Sequence, residues 1–159
     1  MKIKIICVGK IKDQYIKDGI EEFKKRLTPY SELEVVEVAD EPCPENYSAL
    51  QELEVRAKEA DRILEKLSKD SYVMALDIRG KKYNSVEFAK KIKAIQLGGK
   101  SSIDFIIGGS TGLHEKINQK ANSDISFSDM TFPHGLMRLI LVEQIYRAFR
   151  IINNHPYHK

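Results

Sequence analysis

The sequence predicts an α/β fold, a three-layer sandwich around a mostly parallel sheet of five strands. Segments with strand and helix patterns alternate five times along the 159 residues. Parallel strands need helical crossovers, so this alternation favours helices on both faces of one sheet. The first apolar run, Ile3–Val8, is nearly continuous, as in a strand that is covered on both faces. Because no repeat or low-complexity stretch interrupts the chain, residues 1–159 are expected to form a single domain.

The first half of the chain predicts two strands, each followed by a helix. After Ile3–Val8, apolar residues recur at helical spacing from Ile16 to Leu27, and Thr28-Pro29 ends that helix. Leu33–Val38 alternates in polarity and predicts a second strand, nearer an edge. From Leu50 to Leu67, leucines and alanines step by three and four without a break, which predicts a long amphipathic helix.

The second half of the chain predicts three further strands and three helices. The strands are Tyr72–Ile78, Ile103–Ile107 and Ile125–Phe127. Ser85 is expected to cap the helix after the first of these strands, and Gly98-Gly99 to close it. A short helix is predicted near Leu113–Lys120. The last helix is expected to begin near Pro133, whose fixed φ suits the first helical position.

Composition excludes several classes of protein. A hydrophobic content of 42% and a charged content of 31% fit a soluble globular chain rather than a disordered one. No apolar run approaches the ~20 residues of a membrane span, and the N-terminus is too short and too strand-like for a signal peptide. Cys7 and Cys43 lack the spacing of a metal site. We therefore expect reduced thiols, no metal and a cytoplasmic location.

The formal charge of +3 lies entirely at the C-terminal end of the chain. Residues 133–159 hold four basic residues and one acidic residue, whereas the first 132 residues hold 22 of each. The tail Asn153–Lys159 adds two histidines and a tyrosine. A positive and aromatic end on a neutral body predicts contact with a polyanion. The predicted phosphate contacts are Arg138, Arg147 and Arg150.

The last helix is apolar almost all round, with a narrow polar stripe at Glu143, Arg147 and Arg150. A helix that packs only on its own sheet exposes about half of its surface, and that half is polar. Because this helix is apolar on nearly every side, it is expected to be buried on two sides. The second side is most economically another subunit, which predicts a homodimer. The alternative is an internal helix between two layers of one chain, but 159 residues offer little to cover it.

Three loops are candidates for a ligand site, because ligands of parallel α/β sheets bind beyond the carboxyl ends of the strands. These loops follow Ile78, Ile107 and Phe127. The second loop, Gly108–Gly112 (GGSTG), opens a helix and is either a plain tight turn or a place where a ligand approaches the backbone. The third loop, Ser128–Gly135 (SDMTFPHG), holds more capping side chains than one helix needs. It is therefore either an over-specified cap or part of a pocket.

Three segments of the chain form a recognisable combination. They are the strand and turn IDFIIGGSTGL, the loop and helix FSDMTFPHGLMRLILVEQIYRAF, and the terminal NHPYHK. Together they resemble the ribosomal RNA large subunit methyltransferase H family, and the similarity runs over essentially the whole chain. That family belongs to the SPOUT methyltransferases, in which the C-terminal segment threads through a loop as a trefoil knot. The resemblance therefore implies a knot here, a rare feature in proteins.

The resemblance also implies the reaction and its residues. The family transfers a methyl group from S-adenosylmethionine to N3 of a pseudouridine in the 23S rRNA of the assembled ribosome. Backbone groups in the knot would hold most of the cofactor. The matched cofactor contacts are Leu76, Gly108, Phe127, Ser128, Asp129, Met130, Thr131 and Phe132. The matched residues for catalysis or target binding in the tail are His155, Tyr157, His158 and Lys159.

Two details of the implied chemistry concern the tail. The N3 imino proton must leave, so a neutral histidine could accept it or a cation could stabilise the anion, and His155 is the candidate base. Lys159 stands where some members of the family end in Arg-Glu, and a lysine lacks the planar fork of arginine. The sulfonium is an activated leaving group, so positioning can supply much of the rate.

Two other functions stay open on sequence grounds. A SPOUT enzyme acting on tRNA would differ in substrate alone, although the small size without an added RNA-binding domain favours a large preformed substrate such as the ribosome. A non-catalytic nucleotide-binding module associated with the ribosome is the alternative from another class. It would make the tail dispensable, whereas an enzyme that uses the tail would lose activity without it.

Overall fold

The structure is a computed structural model that describes residues 1–159. The strands are β1 (Lys2–Val8), β2 (Glu32–Val38), β3 (Tyr72–Lys82), β4 (Ser102–Ile107) and β5 (Ser123–Ser126). They form one sheet in the order β2-β1-β4-β3-β5, and every neighbouring pair is parallel. The predicted α/β fold with a parallel five-stranded sheet is confirmed, and β2 lies at an edge as predicted.

Five helices cover the two faces of this sheet. They are α1 (Gln14–Leu27), α2 (Ala49–Leu64), α3 (Ser85–Leu97), α4 (Glu115–Lys120) and α5 (His134–Ile152). One apolar core joins α1, α3 and α5 to the sheet, and a second, smaller core joins α2 and α4 to the other face. The helix α5 lies between α1 and α3 and contacts both. The architecture is therefore the predicted three-layer sandwich.

The central strand β1 shows how the two cores arise from one segment. Successive side chains of a strand point to opposite faces of the sheet. Ile5 and Cys7 enter the larger core, while Ile6 and Val8 enter the smaller one, and all four are at most 4% exposed. Each buried aliphatic side chain contributes about 1.5–3 kcal/mol to folding. Burial also raises the pKa of the Cys7 thiol to about 12, which makes it an inert core residue.

Two helix starts differ from the prediction. Asn84 caps α3 rather than Ser85: its side chain accepts a hydrogen bond from the Glu87 amide, and the Glu87 carboxylate accepts one from the Asn84 amide. This reciprocal capping box leaves the Ser85 hydroxyl free to donate to Gln144 on α5 at 2.8 Å. At α5, Pro133 is the residue before the helix rather than its first residue, and no side chain caps the helix.

The helix α2 is shorter than predicted, and its buried stripe is rotated around the helix axis. It ends at Leu64 instead of Leu67. Leu50 and Leu53 are 65% and 43% exposed, so the first turns do not pack on the sheet. The buried residues of this helix are Val55, Glu59, Ala60 and Ile63. One buried residue is therefore a carboxylic acid, Glu59, which the predicted stripe did not contain.

The strand β3 continues four residues beyond its predicted end at Ile78 and carries an irregularity next to β5. The pairing register between the two strands shifts between Leu76 and Lys81. A Cβ at Gly80 would lie 2.6 Å from the Ile125 backbone nitrogen, so only glycine fits there. The segment between Leu76 and Lys81 therefore loops out at the carboxyl end of the sheet.

Smaller differences concern the two elements that follow β4. The helix α4 begins at Glu115, and its N-cap residue His114 accepts a hydrogen bond from the Lys116 amide at 3.1 Å. The strand β5 ends at Ser126, so Phe127 already belongs to the following loop. None of the five helices is both long enough and apolar enough to cross a bilayer. The trefoil knot stays a prediction from the family resemblance.

Candidate functional site

A first cleft of about 420 Å³ opens at the carboxyl ends of β3, β4 and β5. A cleft of this size suits a small organic ligand, and it lies where the strand-end rule predicts. Seven of the eight predicted cofactor contacts line it, namely Leu76, Gly108, Phe127, Ser128, Met130, Thr131 and Phe132. The eighth, Asp129, does not line the cleft, because its exposed carboxylate pairs with Lys82. A cofactor contact at Asp129 stays a prediction from the family resemblance.

Three charged residues of the first cleft, Arg56, Asp77 and Arg79, were not among the predicted contacts. The Asp77 carboxylate accepts hydrogen bonds from the Arg79 guanidinium and backbone amide and from Asn118. The bonds from Arg79 hold the pKa of Asp77 below its ordinary value, so this carboxylate is ionised. Arg56 reaches the cleft from α2, and its buried Nε has no hydrogen-bond partner. Such an unpaired buried donor is available to a bound ligand.

The GGSTG loop is a tight turn and also a wall of the cleft, so both readings of this motif apply. The Gly112 amide donates to the Gly109 carbonyl at 3.1 Å, which closes the turn, and Gly112 has a φ of +86°. A Cβ at Gly108 would lie 2.9 Å from the Leu113 side chain. The absence of side chains therefore lets the turn fold tightly while its backbone faces the cleft.

The polar residues of the loop after β5 stabilise the loop rather than cap α5. The Ser126 hydroxyl donates to the Ser128 carbonyl at 3.0 Å, and the Ser128 hydroxyl accepts from the Met130 amide at 2.9 Å. Met130 is 75% exposed, although it also borders the cleft. The interpretation of this loop as an over-specified helix cap is therefore wrong, and its residues line a pocket instead.

A second cleft of about 680 Å³ lies beside the first, at the carboxyl ends of β1 and β2. Its lining is mostly polar and includes Lys10, Lys12, Asp40, Glu59 and Arg138. The two clefts share Gly109, Ser110 and His134. No pattern in the sequence predicted this second cleft, although two of the shared residues belong to the GGSTG loop.

His134 is the first residue of α5 and forms part of the wall between the two clefts. Burial, together with the positive charge of Arg138, lowers the pKa of His134 below its ordinary value. The imidazole is therefore neutral at pH 7. His134 was not among the predicted site residues, although it lies in the third of the predicted ligand loops.

Arg138 does not occupy the position that its predicted RNA contact requires. Its side chain is only 3% exposed. The guanidinium donates to Glu37 at 3.0 Å and to the carbonyls of Val8 and Gly9 at 2.7 and 2.9 Å. A guanidinium that is bonded and buried in this way is not available to a phosphate. The predicted RNA contact at Arg138 is therefore corrected, and the residue holds the start of α5 against β1 and β2.

The tail is docked on the C-terminal end of α5 rather than frayed, and His155 and Arg150 secure its first part. Tyr30 lies in the turn after α1, and its hydroxyl is 2.7 Å from the His155 Nδ1. Arg150 donates to the same hydroxyl at 2.9 Å and to the Pro156 carbonyl at 2.8 Å. Arg150 thus binds the chain's own tail.

Tyr157 secures the second part of the tail. Its hydroxyl donates to Glu143 at 3.0 Å, and its ring packs edge-on against Tyr146 with 4.9 Å between centroids. Burial and the bond to Glu143 raise the pKa of Tyr157. The Arg147 guanidinium lies over the same ring at 4.7 Å and is 3.2 Å from the His158 Nδ1. His155, Tyr157 and His158 therefore form one cluster with the polar stripe of α5, whereas Lys159 is exposed at the end of the chain.

One chain does not bring this tail cluster together with the clefts. His134 and Met137 meet the first cleft at the start of α5, whereas the tail contacts Glu143, Arg147 and Arg150 along the second half of the same helix. No residue of the tail lines either cleft. No group of three His, Cys, Asp or Glu side chains is arranged to hold a metal ion.

Comparison with known proteins places the chain in a family. A family model described as predicted SPOUT methyltransferase matches residues 1–158. A ribosomal RNA large subunit methyltransferase H from Streptococcus uberis is 56% identical over all 159 residues, and one from Enterococcus faecalis is 50% identical, each over the full length of both chains. This chain belongs to the ribosomal RNA large subunit methyltransferase H family of SPOUT methyltransferases. The family resemblance deduced from the three sequence segments is thereby confirmed.

Two solved structures share the fold of this SPOUT methyltransferase at low sequence identity. A probable methylase family protein from Haemophilus influenzae is 17% identical with a TM-score of 0.56 and covers 99% of this chain and 70% of its own. A tRNA (m1G37) methyltransferase from Aquifex aeolicus is 18% identical with a TM-score of 0.53 and covers 92% of this chain and 70% of its own. At such identities the likeness supports the fold and says nothing of the substrate.

Proposed function

We propose that this protein transfers a methyl group from S-adenosylmethionine to N3 of a pseudouridine in the 23S rRNA of the assembled ribosome. The observation that carries this proposal is the identity of 50–56% over the full chain to relatives named ribosomal RNA large subunit methyltransferase H. The pseudouridine, its N3 atom and the assembled ribosome follow from the family resemblance. A cytoplasmic location is part of the same proposal, because a ribosome is the substrate.

The first cleft is proposed to bind S-adenosylmethionine, and its residues fit that molecule. Leu76, Phe127 and Phe132 offer apolar surface for the adenine, and the glycines of the GGSTG loop expose backbone groups. The unpaired Nε of Arg56 can meet the carboxylate of the methionine part. When bound, S-adenosylmethionine supplies both the methyl group and the leaving group. The chain's residues then have to position the cofactor and the acceptor.

The tail residues His155, Tyr157, His158 and Lys159 are proposed to act in the cleft of a second subunit. The support for this arrangement is that none of these four residues lines either cleft of its own chain. The outer side of α5 adds support, because Leu136, Ile140 and Glu143 are only partly buried. A two-fold homodimer through α5 would cover these residues and pair each tail with the partner's cleft.

The RNA contacts of the proposal are Arg147 and Arg150. Both arginines hold the docked tail, and both keep part of their surface accessible. A phosphate group near them would meet two guanidinium groups and the imidazole of His158, a suitable environment for an anion. The proposal therefore places RNA contacts and tail anchors in one cluster.

The experiment that tests the function is methyl transfer from radiolabelled S-adenosylmethionine to four substrates. These are intact ribosomes, free large subunits, naked 23S rRNA and bulk tRNA, with the labelled nucleoside identified after digestion. We expect label in 23S rRNA of intact ribosomes, at a pseudouridine. Label confined to tRNA would contradict the substrate, and label at a ribose or at another base would contradict the reaction.

A further inference from the structure

The wall between the two clefts contains one group that can exchange a proton near neutral pH. Gly109, Ser110 and His134 form this wall, and among these three only the imidazole titrates between about pH 5 and pH 8. His134 opens onto both clefts, so it can touch a ligand in either of them. No residue of the tail lines either cleft in the same chain.

The second cleft has features of a binding site for a polar, planar ligand. Glu59 lines it and is only 4% exposed, yet it has no ion-pair partner. Its carboxyl group lies against the shared wall: a Cβ at Gly109 would be 2.9 Å from Glu59 Oε2. Burial raises the pKa of Glu59, and a hydrogen bond from the Glu41 backbone opposes this rise. A buried carboxyl group without an ion-pair partner is typical of ligand sites.

The rim of the second cleft carries charges of both signs. Lys10 and Lys12 lie there beside the carboxylates of Asp13, Asp40 and Glu41. Exposed lysines suit the phosphate groups that flank a nucleotide. The two lysines, the polar interior and the common wall with the first cleft fit a base that is turned out of an RNA strand.

We infer that the second cleft receives the target base and that His134 accepts its N3 proton. This inference rests on the proposed function. The N–H electron pair of the base forms the new N–CH3 bond while the S–CH3 bond breaks and its electrons stay on sulfur. The proton moves from N3 to the neutral imidazole of His134 and then to solvent. His134 thereby takes the role that the sequence analysis gave to His155.

The electrostatic surroundings of His134 support this assignment. Arg138 lies one turn further along α5 and disfavours the imidazolium, which keeps the resting imidazole ready to accept a proton. Other charged groups face the two clefts and contribute to the field at His134. They are Lys10, Lys12, Asp13, Glu37, Asp40, Glu41 and Glu59 in the second cleft and Arg56, Asp77 and Arg79 in the first.

The test is a single-turnover methyl-transfer assay on ribosomes with four variants, followed from about pH 5 to about pH 9. The variants are His134→Gln, His134→Ala, His155→Ala and, as a matched control, His114→Asn, which keeps a capping side chain on α4. For the wild type and the control, the rate should rise with pH as the imidazole loses its proton and then level off. For His134→Gln it should fall by about 100-fold or more and lose that plateau. Affinity for S-adenosylmethionine should change little, and added imidazole should restore part of the rate of His134→Ala.

Three results would overturn the inference while leaving the proposed function intact. The first is a His134→Gln variant that retains the plateau and the rate of the control. The second is a pH plateau that disappears in His155→Ala but not in His134→Gln, which would return the role to the tail. The third is loss of cofactor affinity in His134→Gln, which would make His134 a binding residue. Failure of the wild type to label rRNA would instead overturn the proposed function, and the inference with it.

Discussion

Arg138 illustrates how a single buried charge can tie distant parts of the chain together. Its guanidinium is bonded to Glu37 at the end of β2 and to the carbonyls of Val8 and Gly9 at the end of β1. These partners are 101 to 130 residues away in sequence. The start of α5 is thus held beside both clefts by charge-assisted hydrogen bonds, which are stronger than bonds between neutral groups.

The first prediction follows from these bonds. Arg138→Ala should lower the free energy of unfolding by about 3 kcal/mol, because it leaves a partly buried carboxylate and two carbonyls without their donor. Urea unfolding followed by circular dichroism measures this change. Arg26→Ala removes an exposed ion pair with Glu22 and a contact with the Phe23 ring on α1, and it should change the unfolding midpoint much less. Equal midpoints for the two variants would contradict the structural role of Arg138.

Gly112 and Gly99 form a matched pair for the second prediction. Both have a φ near +86°, and an added Cβ would meet no atom within 4 Å at either position. Alanine should therefore cost about 1–2 kcal/mol of stability at each site through backbone strain alone. Only Gly112→Ala should also weaken S-adenosylmethionine binding, because Gly112 lines the first cleft and Gly99 does not. Titration calorimetry measures the affinity, and an equal loss in both variants would contradict a role for this turn in the site.

At the scale of elements, α5 borders the clefts with its first turn and the tail with its second half. The tail contacts Tyr30 and several residues in the second half of α5, and none of its residues lines either cleft. Its removal should therefore leave the sheet and the first cleft in place. The tail can thus be tested without removing a residue of either cleft.

The third prediction is that deletion of residues 155–159 separates cofactor binding from methyl transfer. S-adenosylmethionine affinity should stay within about threefold of the wild type, whereas the single-turnover rate on ribosomes should fall by about 100-fold or more. Tyr157→Phe serves as a milder companion, because it loses the bond to Glu143 but keeps the ring on Tyr146. Full activity in the truncated protein would remove the tail from the mechanism.

Periodicity was sufficient to predict every strand and helix, because burial on a sheet leaves apolar residues at spacings of 2 and 3.6. The first cleft could also be predicted, since the carboxyl ends of parallel strands meet at one edge. The burial of Arg138 could not, because its partners lie more than 100 residues away and no local pattern contains them. The second cleft was missed for the same reason. The buried stripe of α2 was predicted on the wrong side of the helix, because Leu50 and Leu53 are apolar yet exposed.

At the scale of the whole molecule, the proposed dimer makes each active site composite. One subunit would supply the clefts and His134, and the other would supply His155, Tyr157 and the arginines beside them. Two-fold symmetry produces two such sites per dimer, each dependent on both chains. Activity should therefore depend on which chain carries a defect.

The fourth prediction uses this dependence in a mixing experiment. A tail-truncated chain keeps its cleft, and an Arg56→Glu chain keeps its tail but should repel the carboxylate of S-adenosylmethionine. Each should be inactive alone. Random exchange between the two should restore about a quarter of the wild-type activity, because half of the dimers are mixed and each has one intact site. Native mass spectrometry confirms the mixed dimers, and their inactivity would contradict a site shared between subunits.

The composition of the two sheet edges has a consequence for aggregation. The strand β2 forms one edge and exposes Glu32, Glu34 and Glu37, whereas the other edge, β5, has only four residues. Charged and very short edge strands discourage edge-to-edge pairing between molecules. Native molecules should therefore associate through their helices and not by extending the sheet. Heat-induced precipitation should accordingly follow unfolding rather than precede it.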